Sequence, residues 1–193
     1  MSYLVETVSG NKVNIIDPNP DTILLDDIAW GLSRINRFCG ATVTEVPYNN
    51  AQHSLFVADL CRRADEADFY DECYLFALLH DSSEYVTGDF PSPLKRVPEI
   101  RTAIKKIENH LLSVIYIKFM GRLPTEHEEI FIKRCDVHAQ QVEAHAYMHS
   151  RGSDWAFDEK PSLIDLQSFP PPETAIISYK KFMEAFRKNE SFT

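Results

Sequence analysis

Residues 73–95 read Cys73-Tyr74-Leu75-Phe76-Ala77-Leu78-Leu79-His80-Asp81-Ser82-Ser83-Glu84-Tyr85-Val86-Thr87-Gly88-Asp89-Phe90-Pro91-Ser92-Pro93-Leu94-Lys95. The first part is apolar nearly all round, the pattern of a core helix, and the spacing predicts one continuous helix from about Tyr70 to Tyr85. An imidazole and a carboxylate, His80 and Asp81, end this apolar run. Unpaired, they would be costly to bury. A divalent metal resolves the cost, because neutral imidazole and ionised carboxylate are its natural ligands. On a continuous helix Glu84 shares their face one turn on, where it can exchange a proton with whatever the metal holds. The bland alternative for Glu84 is a surface residue at a helix end. The rigid, charged rim made by Asp89, Pro91, Pro93 and Lys95 speaks against it.

Two further residues extend the pattern outward. Asn49-Asn50-Ala51-Gln52 has capping-box spacing. The helix it opens carries His53 at the head of a stripe with Phe56, Val57 and Leu60, so His53 points inward. Downstream, Thr125 and Glu128 form a second capping box. The helix after it sets Ile132, Cys135, Asp136, Ala139, Val142 and Ala146 along one stripe, which gives Asp136 a core position. A lone histidine on an apolar face is more often a hydrogen-bonded core residue than a ligand. Asp136 alone could cap a helix or pair with Arg34, Arg37 or Arg134. Three inward-facing polar groups from three helices, each in an apolar context, favour a metal site. His110, His127, His138, His145 and His149 fall mostly on polar faces and read as solvated.

The rest of the chain is also helical in pattern. Asp26 and Asp27 suit the start of a helix running through Trp30 and Ile35 and stopped near Gly40. Thr42–Val46 allows a short strand that Pro47 limits. A long amphipathic helix carries Ile100, Ile104, Ile107, Leu111, Val114 and Ile115. The Pro- and Asp-rich residues 151–171 read as loop, and residues 172–188 as a last helix bearing Ile176, Tyr179, Phe182, Met183 and Phe186. The expectation is an all-α, single-domain bundle over 1–193, with its core at about 13–150.

Composition sets the surroundings. The 193 residues are 44% hydrophobic and 25% charged, ordinary globular values. The start, Met-Ser-Tyr-Leu-Val-Glu-Thr, lacks signal-peptide character, and no apolar run approaches the roughly 18 residues of a membrane span. Cys39, Cys61, Cys73 and Cys135 are scattered and read as buried thiols of a reducing compartment. A soluble cytoplasmic protein with no membrane partner is expected. The net charge of −9 excludes broad binding to long nucleic acid, but not a small anion held by local cations.

Taken in order, His53, His80-Asp81 and Asp136 resemble the H…HD…D ligands of the HD-domain metal-dependent phosphohydrolases. The longer stretch His80–Lys95 is similar to the H-D-x-x-E-x-x-x-G-D-x-P-x-P-x-K signature of the small HD nucleotidases, the YfbR-like group. The upstream residues Asp26–Ala29, Arg34–Phe38 and Ala51–Ser54 look closer to its phage branch of dATP triphosphohydrolases, the DatZ branch. The resemblance covers about residues 13–150. It implies that His53, His80, Asp81 and Asp136 hold the metal, with Glu84 as the catalytic carboxylate and Asp89 as its acidic partner. Arg37 and Lys95 then face phosphate, and Phe38 and Pro93 belong to the substrate side. Arg37-Phe38-Cys39 departs from the Arg-Trp-Pro of the bacterial monophosphatases; Trp30 is a second candidate for an aromatic wall.

The activity implied is hydrolysis of a small deoxynucleotide, with dATP giving deoxyadenosine and tripolyphosphate. The alternatives are a 5′-deoxynucleotidase acting on monophosphates, a phosphodiesterase, and a nucleotide-sensing module without turnover. The implied cofactor is a divalent ion, Zn, Co or Mn, with Mg possible on substrate phosphates. The implied assembly is a homo-oligomer, a dimer or a hexamer of dimers, in the host cytoplasm if phage-encoded.

Overall fold

The computed structural model describes residues 3–64, 70–153, 155, 157 and 161–190. Met1 and Ser2 of the start, and residues 154, 156 and 158–160 of the expected loop, lie outside the described residues. The architecture is helical, with a two-stranded hairpin at its start. Strands β1 (Leu4–Glu6) and β2 (Lys12–Asn14) pair antiparallel with Val5 opposite Val13. Three-residue strands are too short to show alternation, and the sequence reading missed them. The buried Asp27 carboxylate anchors the hairpin turn, accepting from Thr7 Oγ1 at 2.7 Å and from Ser9 N at 3.0 Å.

Helix α1 (Leu25–Leu32) carries Asp26 and Asp27 in its first turn, as expected, but stops before Ile35. Beyond it the chain pairs with the segment before the next helix: Arg37 N donates to Tyr48 O, and Asn50 N to Ile35 O. Those bonds pull residues 35–37 out of helical geometry. No strand forms over 42–46; its backbone bends, with Val43 N donating to Tyr147 O. Helix α2 (Asn50–Arg63) is capped by Asn49, whose side chain accepts from Gln52 N.

The expected helix over 70–85 is two helices. Helix α3 (Tyr70–Leu78) ends in a tight turn, and α4 (Glu84–Thr87) starts after it. At the junction the bonds shorten to i→i+3: His80 N donates to Ala77 O, Ser82 N to Leu79 O and Glu84 N to Asp81 O. Such tightening is a usual way for a helix to end. The short α5 (Ser92–Lys95) and the long α6 (Pro98–Met120) follow. Helix α7 (Glu126–Tyr147) begins with the full Thr125–Glu128 capping box. Helix α8 (Leu163–Ser168) falls inside the stretch read as loop, and α9 (Ala175–Asn189) starts three residues later than expected.

Helices α2, α3 and α7 form the centre, with α1 and α9 packed against α2. The core gathers Phe56, Leu75, Phe76, Leu79, Leu111, Ile115, Phe131, Val142 and Phe182. Helix α9 docks through Phe182, Met183 and Phe186, while Ile176 remains exposed. Ala146, placed by its spacing on the inner stripe of α7, is also exposed. Cys61, Cys73 and Cys135 are buried free thiols, but Cys39 is exposed. Among the described residues no helix is long and apolar enough to cross a membrane.

Candidate metal centre

Two helices and the turn after a third bring four groups close together. His53 comes from the first turn of α2, where its ring is fully buried. His80 and Asp81 come from the turn after α3, and Asp136 from the middle of α7. His53 Nε2 lies 3.3 Å from His80 Nε2, 3.2 Å from Asp136 Oδ1 and 3.5 Å from Asp81 Oδ2. His80 Nε2 lies 3.3 Å from Asp81 Oδ2 and 3.9 Å from Asp136 Oδ1. A tetrahedral ion bound at about 2.1 Å needs its ligand atoms roughly 3.4 Å apart. His53, His80 and Asp136 form a group able to hold an ion, each offering an atom within 4.8 Å of the others, and Asp81 lies beside the two imidazoles.

The outer nitrogens set the tautomers. His53 Nδ1 lies 2.6 Å from Glu143 Oε1, and His80 Nδ1 lies 2.7 Å from Ala77 O. Each outer nitrogen faces an acceptor, so in the neutral rings it carries the proton and leaves both Nε2 lone pairs facing each other and two carboxylates. Four electron-rich atoms in such proximity require a positive charge between them. Burial and Arg37 work against a proton on His53, but Glu143 and Asp136 outweigh them and raise its pKa to about 9. Burial raises Asp81 and Asp136, yet the neighbouring imidazoles outweigh it and hold both carboxyls below the usual range.

Glu84 stands at the first position of α4, buried, beside this centre. Its Oε2 accepts from Asn50 Nδ2, and its Oε1 accepts from Lys95 Nζ at 3.0 Å. Burial, then the charges of Asp81 and Asp89, push the Glu84 carboxyl well above its ordinary value. Asp89 is half-buried and also raised, by burial first and then by Asp81, with Arg37 opposing. Lys95 bridges Glu84 and Glu108, the latter at 3.2 Å.

Arg37 is buried, with Nε 3.0 Å from Glu143 Oε2 and Nη1 3.7 Å from Asp81 Oδ2. Phe38 and Cys39 follow it at φ of 54° and 55°, the left-handed region that bulky residues avoid. This unusual turn lays the Phe38 ring 5.5 Å from that of Trp155. Trp30 lies elsewhere, edge-on to Tyr179 at 5.6 Å and covered by Arg34, so it joins α1 to α9.

A cleft of about 670 Å³ opens onto the centre between α6 and α7, with His80, Asp81, Glu84, Lys95, Lys133 and Asp136 on its walls. Arg37, Phe38, His53, Asp89 and Pro93 lie outside this lining. Asp136 pairs with Lys133 at 2.6 Å rather than with an arginine. The sequence reading missed Glu143, Asn50, Lys133 and Glu108. Glu143 had a legible signal: it follows Asp136 by seven residues, two turns on the same face. Asn50 and Glu108 had none, because only the packing of α2 and α6 brings them to the site.

The profile of the family described as 5′-deoxynucleotidase YfbR-like matches residues 28–149, which contain all four candidate ligands. An uncharacterized protein of Rhodobacter capsulatus is 35% identical over 112 residues, 58% of this chain and 56% of that protein. The uncharacterized protein YfdR of Escherichia coli is 36% identical over 109 residues, 56% of this chain and 55% of its own length. A 5′-deoxynucleotidase of Vibrio parahaemolyticus is 37% identical over 94 residues, 44% of this chain and 46% of that enzyme. The chain thus spans about half the length of the curated relatives it matches. Among solved structures, the HD phosphohydrolase DatZ of cyanophage S-2L, bound to dA and one catalytic Zn²⁺ ion, shares the fold. Its TM-score is 0.53 at 20% identity, over 89% of this chain and 99% of that one. With the profile spanning more than half of its length, the chain belongs to the YfbR-like HD-domain 5′-deoxynucleotidase family.

Proposed function

We infer that the chain is a metal-dependent phosphohydrolase that cuts deoxynucleotides between the 5′ oxygen and the adjoining phosphorus. Its substrate on this reading is dATP, split into deoxyadenosine and tripolyphosphate. The observation that carries the reaction class is the convergence of His53 Nε2, His80 Nε2, Asp81 and Asp136 on a cleft that also holds a buried Glu84. These four residues would hold the ion, and their two imidazoles and two carboxylates suit Zn, Co or Mn. A divalent cation there supplies Lewis acidity, which lowers the pKa of a water and stabilises charge on phosphoryl oxygens.

The protein groups do the rest. Glu84, whose carboxyl burial and the charges of Asp81 and Asp89 push well above its ordinary value, is the group suited to deliver a proton to the 5′ oxygen as the P–O bond breaks and the water oxygen bonds to phosphorus. Asn50 and Lys95 fix the two Glu84 oxygens, so the carboxyl is aligned before substrate arrives. Asp89 is a second carboxyl suited to take the water's proton. Lys95 supplies positive charge beside the phosphate. Arg37 steadies Asp81, and its phosphate contact, like the substrate contacts of Phe38 and Pro93, rests on the family resemblance.

The choice of an adenine deoxynucleotide draws on the dA bound by the cyanophage enzyme and on the Phe38–Trp155 pair, an apolar face for a base. A second reading, a 5′-deoxynucleotidase acting on monophosphates, is favoured by the description of the family and of the Vibrio relative. The test is a panel of all deoxynucleoside mono- and triphosphates with several divalent metals, read by product identity. Tripolyphosphate from dATP, faster than any product from ATP or dAMP, is expected. Orthophosphate from dAMP as the dominant product would hand the assignment to the second reading.

A further inference from the structure

The cations nearest the metal centre are all taken by carboxylates. Arg37 is bound to Glu143 and Asp81, Lys95 to Glu84 and Glu108, and Lys133 to Asp136. A different set of cations stands further along the same cleft. Arg101 and Lys105 line its far end, one helical turn apart on α6. Both also line an adjoining hollow of about 460 Å³, together with Arg96 and Lys106. All four side chains are exposed, and none has an ion-pair partner among the described residues. In a chain of net charge −9 such a cluster stands out.

We propose that Arg96, Arg101, Lys105 and Lys106 form a subsite for the β- and γ-phosphates of a nucleoside triphosphate whose α-phosphorus lies at the His53–His80–Asp81–Asp136 centre. This rests on the phosphohydrolase reading and adds to it the residues that would hold the outer phosphates. Position along α6 agrees with it. Glu108 sits beside Lys95, which touches Glu84, and Lys105 and Arg101 precede Glu108 by three and seven residues. At about 1.5 Å rise per residue they lie roughly 4 and 10 Å further out. That direction leads away from the ion along a single wall, as a chain of linked phosphates must run. A monophosphate would leave the cluster empty. The carboxylates around the ion repel a polyanion there, whereas unpaired guanidinium and ammonium groups attract one.

The experiment measures binding, so it does not depend on turnover. The full chain, metal-loaded, is titrated calorimetrically with inorganic tripolyphosphate and with orthophosphate, each pre-equilibrated with the same metal, and metal content is checked afterwards. Wild type should bind tripolyphosphate at least about tenfold more tightly than orthophosphate. Arg101→Gln/Lys105→Gln should lose about tenfold in tripolyphosphate affinity while orthophosphate affinity moves less than about twofold. Arg96→Gln/Lys106→Gln should lose a smaller part of the same preference. Equal affinity of wild type for the two anions, or unchanged tripolyphosphate affinity in both double variants, would overturn the subsite. A preserved tripolyphosphate preference in a protein that turns over no nucleotide would sink the enzymatic reading and leave the subsite standing.

Discussion

His53 is fully buried, and its two ring nitrogens face different partners: Nε2 faces His80, Asp81 and Asp136, and Nδ1 meets Glu143. Glu143 also holds Arg37, so one buried carboxylate aligns both a candidate ligand and the arginine beside Asp81. Glu143→Gln keeps the shape but removes the charge that favours Nδ1–H. Metal affinity, read by competition with a chelator, should fall about 10–100-fold. An unchanged affinity would return Glu143 to a purely structural ion pair. Glu84 makes the opposite expectation, because it holds no ligand position. Glu84→Ala should retain the metal while turnover falls on the order of 100-fold. Near-normal turnover would reduce Glu84 to a packing residue.

At the scale of elements, α4 positions Glu84, and α1 positions α4. A Cβ at Gly31 of α1 would lie 2.9 Å from Tyr85 Cβ and 3.1 Å from Tyr85 Cα, too close for either backbone to stay in place. Gly31→Ala should cost about 1–3 kcal/mol in unfolding free energy. Activity should drop further than metal content, because α4 moves while His53 and Asp136 do not; equal losses would contradict that coupling. Helix α7 has its own anchor. Glu128 accepts from both Arg122 Nη atoms, at 2.9 and 2.8 Å, and from Thr125 N at 2.6 Å. The Arg122 bonds lead in holding its pKa at about 2 against an ordinary 4.5. A lowered folded pKa means a contribution fully present above about pH 4.5 and lost as pH falls toward 2. Glu128→Gln should therefore lower stability at neutral pH and flatten the acid side of the stability curve. A variant curve parallel to wild type would disprove the linkage.

Across the whole molecule, apolar side chains remain uncovered on the outer faces of the later helices. Ile130 and Val137 are exposed on α7, Ile164 on α8, and Ile176 and Ile177 on α9. Ile130 and Val137 are seven residues apart and share one face of α7. Burial of such a surface between copies is the expected result. Light scattering at micromolar concentration should report a dimer or a larger assembly; a monomer alone would contradict it.

The helices were legible wherever an apolar stripe repeats for several turns, as in α2, α6, α7 and α9, because periodicity reports which face is buried. The inward direction of His53 and Asp136 followed from the same stripes. The capping signals at Asn49 and at Thr125–Glu128 were local chemistry, readable without neighbours. Three features were not local and could not be read that way. The helix over 70–85 breaks because Ala77 O accepts from both His80 N and His80 Nδ1, a choice made by the site and not by propensity. The strand suggested over 42–46 gave way to bends tied to Tyr147, far along the chain. Asn50 and Glu108 reached the site through helix packing, which brings Asn50 to Glu84 across 34 positions, and no local pattern encodes which residues will meet.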